Sequence, residues 1–244
     1  KCLPINPEPP KRAIILLLFI VWTLFYILIY IIHTMKIYKF KTDIDSEALA
    51  KLQKFKEIGC DTEASGLKIP HFDSLSLIQL SGKSDEAYII QPDRKNYNCP
   101  NLVKLFNNNN ILFIFHYARF DINAIEYFLK CEIKNFWCTK ISSKIIRKYT
   151  NFHGLKDLTL ELVGKKLEKK LGSSDWNKDL ITEISDQQLE YAASDCIYLI
   201  EIKKGLNKMM EREGKTQIYN QCLKFLKTKI KLDQLGYSGD IFEH

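Results

Sequence analysis

The chain has 244 residues, of which 46% are hydrophobic and 12% aromatic, and its formal net charge is +7. This length supplies one sizeable core and an accessory segment but hardly two full domains. The basic balance fits an anionic partner, although abundant Lys, Asn and Ile are also what an AT-rich coding sequence would give. Seven scattered cysteines without a Cys-x-x-Cys pair indicate buried thiols in a reducing compartment and argue against structural zinc.

An apolar run without a charge, residues 13–32, dominates the N-terminal part. As a helix, this run would span roughly 30 Å, the thickness of the hydrocarbon core of a bilayer. We therefore expect a polar lead over residues 1–12, a transmembrane helix over residues 13–32 and a single-pass, membrane-anchored protein. An organellar membrane, mitochondrial or plastid, is favoured over the plasma membrane. A targeting signal and a buried core helix are the alternatives.

The pattern changes twice along the remaining chain. Residues 33–54 resemble a basic tether with a short helical pattern near residue 50. Short apolar runs then predict five strands, at residues 55–64, 74–81, 87–91, 111–115 and 136–138. Helical periodicity follows Pro100 and Phe120 and then covers residues 140–149, 154–163, 185–212 and a last stretch through Leu232. This order predicts an α/β domain over residues 55–214 with a mixed five-stranded sheet, and a C-terminal helix and tail, residues 215–244, packed on it.

Two carboxylates separated by one residue, Asp61 and Glu63, stand at the end of the first predicted strand. Because side chains alternate along a strand, both point to one face, while Thr62 points to the other face. Carboxylates held side by side repel each other unless a cation lies between them, and hard divalent ions are the usual partners. Asp-x-Glu alone is weak evidence, because most such pairs are simply solvated.

Three further polar side chains occupy positions suited to a site. Asp121 lies in the first turn of a helix that directly follows an apolar strand, where ligands approach open α/β sheets. Acids are also favoured near helix N-termini without any site. Tyr191 and Asp195 are four residues apart in a predicted helix, so the phenol and the carboxylate share one face. By themselves these two residues are a surface pair.

Together, the segments that contain these residues resemble a known family. Residues 60–67 (CDTEASGL), 115–125 (FHYARFDINAI) and 189–199 (LEYAASDCIYL) are similar to the three exonuclease motifs of the DEDD superfamily, tyrosine subclass. The stretches HGLKDLTLELVG and SSDW, and the closing DQLGYSGDIFEH, resemble ribonuclease D. The resemblance covers about residues 55–244. The chain departs from the pattern His-Asn-Ala-x-Phe-Asp at Tyr117, where many members carry Asn.

The resemblance implies a ribonuclease H-like fold and a two-metal 3′→5′ exonuclease that releases nucleoside 5′-monophosphates. Mg²⁺ or Mn²⁺ suits its oxygen ligands. Asp61, Glu63 and Asp195 would hold the ion that activates water, and Asp61 and Asp121 the ion that faces the leaving oxygen. Tyr191 would orient the attacking water.

Charge along the chain agrees with a nucleic-acid partner. Between Lys130 and Lys178 there are twelve Lys or Arg against five acids, which favours either a phosphate-binding flank of the cleft or a solvated helix face. The predicted substrate contacts are Thr62, Phe120, Lys156 and the base-stacking candidate Trp176. The expected substrate is the single-stranded 3′ end of RNA. A DNA-directed exonuclease, and a nuclease-derived structural subunit of a membrane or organellar complex, are the alternatives.

Overall fold

The computed structural model describes residues 15, 18–22, 35–167, 174–237, 239 and 241. The chain divides into two compact units, Lys1–Met35 and Lys36–His244. The sheet and the helices that pack on it belong to the second unit.

Six strands and eight helices are defined in the described part of this second unit. The strands are β1 (Lys36–Lys41), β2 (Glu57–Ala64), β3 (Leu75–Lys83), β4 (Glu86–Gln91), β5 (Leu112–Phe115) and β6 (Phe136–Cys138). The helices are α1 (Ser46–Leu52), α2 (Pro100–Phe106), α3 (Ala118–Leu129), α4 (Thr139–Ile146), α5 (Leu155–Val163), α6 (Asp186–Ile197), α7 (Leu199–Arg212) and α8 (Thr216–Gln234).

The sheet is mixed, with the strand order β1-β4-β3-β2-β5-β6. Strand β2 lies near its centre and pairs antiparallel with β3 and parallel with β5. Ile58 and Cys60 of β2 pack into the core formed with α1, α2, α3 and α8, whereas α6 and α7 cover the opposite face. Helices on both faces of a mixed sheet confirm the predicted α/β class and are consistent with the ribonuclease H-like fold.

The number of strands differs from the five that were predicted. Lys36–Lys41, which the sequence analysis placed in a basic tether, forms edge strand β1 and pairs parallel with β4 along its whole length. Three lysines among its six residues concealed this strand, because charged residues are frequent on exposed edge strands. Tyr38 and Phe40 nevertheless stack on the buried ring of Tyr88, with centroid distances of 5.0 and 6.3 Å.

The predicted transmembrane helix falls mostly outside the described residues, and so does the polar lead over residues 1–12. Ile15 and residues 18–22 are helical. Within the part of the chain that the structure describes, no helix has the length and apolarity needed to cross a bilayer. This finding overturns the prediction of a single-pass anchor in a mitochondrial or plastid membrane, together with the predicted contact with lipid.

The helix predicted over residues 185–212 is interrupted at Tyr198. The structure has two helices there, α6 and α7, and Tyr198 lies between them. The last helix, α8, packs on the domain through Leu226 and Ile230. Its residue Asp233 accepts two hydrogen bonds from Arg119 of α3, at 2.7 and 2.9 Å.

The basic stretch between Lys130 and Lys178 is not entirely a surface feature. Arg147 is 1% exposed and forms an ion pair with Glu161. Its guanidinium also donates hydrogen bonds to the Ser143 hydroxyl and the Phe152 carbonyl, at 2.9 and 2.7 Å. This arginine therefore anchors the segment between α4 and α5. Residues 168–173 of the stretch lie outside the described residues.

A chain that begins at residue 42 should be less stable than one that begins at Lys36. The shorter chain lacks β1 and uncovers Tyr88, which is 1% exposed, so the free energy of unfolding should fall by at least about 2 kcal/mol. Urea unfolding followed by circular dichroism measures the difference. Equal unfolding midpoints for the two chains would contradict a structural role for β1.

Candidate active site

Three carboxylates from two elements converge in one cluster. Asp61 and Glu63 of β2 and Asp195 of α6 each place a carboxylate oxygen within 4.8 Å of the others. The alternation of β2 directs Asp61 and Glu63 to the face that α6 covers, opposite the core residue Cys60. The predicted pairing of these two acids with the acid of the distant third motif is therefore present in the fold.

The close approach of α6 to β2 depends on Gly59. A Cβ atom at this position would fall well inside van der Waals contact of the Cys196 backbone oxygen. The other end of α6 is fixed by a capping box between Ser185 and Gln188. The helix is thus held at both ends, and this sets where Asp195 meets the strand.

Asp121 adds a fourth carboxylate from the first turn of α3. It is 3% exposed, and its Oδ1 accepts a hydrogen bond of 2.8 Å from the Thr62 hydroxyl. Thr62 is itself buried and points away from Asp61 and Glu63, as the alternation of β2 predicted. The predicted contact of Thr62 with substrate does not match this geometry, because its hydroxyl is committed to Asp121.

Tyr191 lies one turn before Asp195 on α6, and its phenol interacts with the Asp195 carboxylate. The phenol ring stacks on Trp176, with ring centroids 6.2 Å apart. Trp176 is only 3% exposed, so its indole has no open face for a nucleobase and the predicted base stacking is wrong. The adjacent Asn177 is bound by Arg94 and by the Ser76 hydroxyl, which holds this segment against the sheet.

The carboxylates raise one another's pKa. Burial and the charges of Asp121, Asp195 and Glu63 place the pKa of Asp61 well above its usual range. Burial likewise raises the pKa of Glu63, Asp121 and Asp195, while the hydrogen bonds from Thr62 and Tyr191 partly offset the rise at the two aspartates. Without a cation the cluster therefore holds protons near neutral pH, and bound cations would replace them.

A small pocket of about 210 Å³ gives access to this cluster. It is lined by Asp61, His116, Leu155, Lys156, Leu167, Tyr191 and Asp195. The predicted substrate contact Lys156 thus lies at the pocket. Phe120 lines a separate, larger cleft.

Sequence reasoning missed His116, although it lies within the second motif directly after β5. Its Nδ1 is 2.8 Å from the Thr139 hydroxyl, which donates to the Phe115 carbonyl at 3.2 Å. Because that hydroxyl has one proton, the histidine Nδ1 carries the proton of their contact. Burial, aided by the charge of Lys140, lowers the pKa of His116 to about 3, so the ring is neutral at physiological pH.

Comparison with known proteins agrees with this geometry. A family model described as 3′-5′ exonuclease matches residues 39–211, and the chain therefore belongs to the 3′-5′ exonuclease family. The chain is 26% identical to ribonuclease D of Acidiphilium cryptum over 145 residues, 59% of this chain and 36% of that protein. It is 25% identical to DNA polymerase I of Aquifex aeolicus over 201 residues, 80% of this chain and 32% of that protein. It thus spans about a third of the length of these relatives.

A solved structure is similar to most of this chain. Brucella melitensis NrnC, in a structure described as bound to pGG, is 37% identical and has a TM-score of 0.79. The match covers 86% of this chain and 100% of that chain. A second NrnC structure is described with bound Mg²⁺. These matches confirm the ribonuclease D-like, DEDD-type resemblance. Exonucleases of this type use divalent cations, and the carboxylate oxygens of Asp61, Glu63 and Asp195, with the neighbouring Asp121, fit Mg²⁺ or Mn²⁺.

Gly59→Ala should damage the site more than the fold. The new Cβ forces α6 away from β2, which separates Asp195 from Asp61. The expected cost in unfolding free energy is about 1–3 kcal/mol, with weaker Mg²⁺ binding measured by calorimetry. Gly205→Ala is the matched control, because its Cβ meets Leu162 at an ordinary 3.6 Å inside α7. Equal Mg²⁺ affinity in both variants would contradict the role of Gly59.

In a chelating buffer, the melting temperature should fall as pH rises from about 4 to about 8. The pKa values of Glu63, Asp121 and Asp195 are raised to about 8, 7 and 7. Because these carboxyl groups bind protons more tightly in the folded state, protonation favours folding. The resulting stabilisation is fully present below the pKa values of the unfolded state and is lost as pH rises through the pKa values of the folded state. Mg²⁺ replaces the protons, so it should raise the melting temperature more at about pH 8 than at about pH 5.

Scanning calorimetry of the wild type and of Asp121→Asn measures this pH dependence. The variant removes one titrating group, so its melting temperature in chelator should change less with pH. A wild-type melting temperature independent of both pH and Mg²⁺ would contradict the electrostatic description of the site.

Proposed function

We propose that the protein is a metal-dependent 3′→5′ exonuclease that releases nucleoside 5′-monophosphates from the single-stranded 3′ end of RNA. The observation that carries this proposal is the convergence of Asp61, Glu63, Asp121, Tyr191 and Asp195, which come from β2, α3 and α6. Membership of the 3′-5′ exonuclease family, with ribonuclease D among the relatives, supports the reaction type and the choice of RNA.

We assign the four carboxylates to cation binding and Tyr191 to the attacking water. When bound, two divalent cations stabilise the entering and departing oxygens of an in-line displacement at phosphorus. The Tyr191 phenol accepts or donates a hydrogen bond that orients water for attack on the last phosphodiester. The bond from phosphorus to the 3′ oxygen breaks, and the terminal nucleotide leaves with its 5′ phosphate.

Two buried side chains act as positioning residues in this proposal. Thr62 fixes the rotamer of Asp121 through the 2.8 Å hydrogen bond. Trp176 stacks behind Tyr191 and limits the motion of the phenol. Both were expected to touch the substrate, but Thr62 instead supports a proposed cation ligand and Trp176 the residue proposed to orient water.

The substrate is held by cationic and aromatic side chains at the two openings. Lys156 lies at the acidic pocket and Phe120 lines the larger cleft. Because NrnC is described as bound to pGG and this chain spans that protein's full length, we include short oligonucleotides such as pGG among the substrates. The DNA polymerase I relative favours a second candidate, DNA with a free 3′ end.

Hydrolysis assays with the full chain test the reaction and the polymer. The substrates are pGG and 5′-labelled RNA and DNA of one sequence, each with Mg²⁺, with Mn²⁺ and with chelator. We expect stepwise shortening of RNA from its 3′ end that requires the metal. Shortening of DNA with a higher kcat/KM than RNA would favour the second candidate.

Substitutions at the site should remove this activity selectively. Asp61→Asn and Asp121→Asn should each reduce kcat/KM by more than about 100-fold, because each removes a metal ligand. Tyr191→Phe should lower kcat on the order of 100-fold with little change in KM. Glu190→Gln, an exposed neighbour on α6, is the control and should retain activity. Metal-independent hydrolysis, or full activity in the aspartate variants, would sink the proposal.

A further inference from the structure

A cleft of about 700 Å³ opens beside the acidic pocket. The turn between β5 and α3 separates the two openings, because His116 lines the acidic pocket and the next residue, Tyr117, lines the cleft. Leu67, four residues after Glu63, lies on its wall, as does Phe120, which immediately precedes Asp121. The cleft and the acidic pocket are therefore lined by consecutive residues of one turn.

The lining of the cleft combines exposed apolar side chains with aromatic rings. Leu67 is 87% exposed and Phe72 is 84% exposed, whereas folded proteins usually cover such groups or use them for binding. The volume lies within the range of roughly 300–1,000 Å³ that is typical of small-molecule sites. Both properties suit a flat, partly apolar group of moderate size.

Tyr117 is the side chain in this cleft with the most specific geometry. It is 45% exposed, and its backbone has a φ of 73°, in the left-handed region that tyrosine rarely adopts. The ammonium of Lys140 lies 4.6 Å from the ring centroid. Tyr117 lines the cleft, whereas Lys140 is not among the residues that line it.

The cleft lining includes the ammonium of Lys68, 5.8 Å from the Phe72 ring centroid, as well as aromatic rings that suit a base. Arg119 is engaged by Asp233 through two hydrogen bonds of 2.7 and 2.9 Å, so its guanidinium is not free to bind a phosphate. Lys140 makes no ion pair among the described residues and rests on the Tyr117 ring instead. An aromatic ring supported on one side by a cation leaves one π face for stacking.

We propose that Tyr117 is a stacking platform for a nucleobase of the substrate, one nucleotide away from or directly at the bond that is cleaved. This inference rests on the proposed function. Since every base has a π face, the contact adds affinity without strong base preference.

Substitutions that keep or remove the ring should differ in their effect on KM. Tyr117→Ala and Tyr117→Leu should each raise KM for pGG about 5- to 150-fold, the usual range for loss of one stacked base. Tyr117→Phe retains the ring and should leave KM close to the wild-type value. The leucine variant keeps apolar volume in the cleft, and its melting temperature verifies that the domain remains folded.

A double-mutant cycle separates stacking from a structural role. Two analogues of pGG, each lacking one of the two bases, are measured with the wild type and with Tyr117→Leu. For the analogue that lacks the stacked base, binding to the wild type should be weaker than that of pGG by the same factor as the Tyr117→Leu substitution weakens pGG binding. Combining this analogue with Tyr117→Leu should weaken binding little further. Equal losses from Tyr117→Leu with all three substrates would show a structural role and overturn the proposal.

A fluorescence readout that does not depend on hydrolysis completes the test. A dinucleotide with 2-aminopurine in place of one base should be quenched on binding to the wild type and to Tyr117→Phe but not to Tyr117→Leu. Quenching without hydrolysis would contradict the proposed exonuclease function and support the stacking role of Tyr117. Hydrolysis without quenching at either base position would do the reverse.

Discussion

The approach of α6 to β2 is the constraint on which the chemistry of this protein depends. Gly59 allows the backbone of Cys196 to rest against the strand, and the neighbouring Asp195 is thereby set beside Asp61 and Glu63. Four carboxylates in so small a volume oppose folding, because burial and mutual repulsion both disfavour their charged forms. The apolar packing of the sheet and helices holds the carboxylates together nonetheless. Bound cations would offset their mutual repulsion, and the same close spacing would then favour cation binding.

Much of the site was predictable because it follows two simple periodicities. Alternation along β2 placed Asp61 and Glu63 on one face and Thr62 on the other, and the i, i+4 spacing on α6 joined Tyr191 to Asp195. The fold class followed from the order of the patterns. Edge strand β1 did not, because its three lysines and its mostly exposed positions show no alternation of apolar and polar residues. The interruption at Tyr198 carries no glycine or proline to reveal it. The apolar content of residues 13–32 indicated a membrane span that the described helices do not supply.

The contact partners of the buried polar side chains could not be predicted from the sequence. The Thr62 hydroxyl binds Asp121, and the Trp176 ring supports Tyr191. Each contact joins segments far apart in the chain, so no local pattern encodes it. His116 was hidden for the same reason, because its role at the pocket depends on Thr139 at the start of α4. The β5–α3 turn thus serves two openings with consecutive residues, His116 toward the carboxylates and Tyr117 toward the cleft.

The distribution of the four carboxylates along the chain has a consequence for biosynthesis. Asp61 and Glu63 lie on an early strand, whereas Asp195 lies near the end of the domain. Contacts between such distant segments form late, after the local helices and hairpins. A polypeptide still emerging from the ribosome therefore has only the first two motifs in place and has no cation site to assemble. The complete cluster of carboxylates therefore forms only after α6 has been synthesised and has docked on β2.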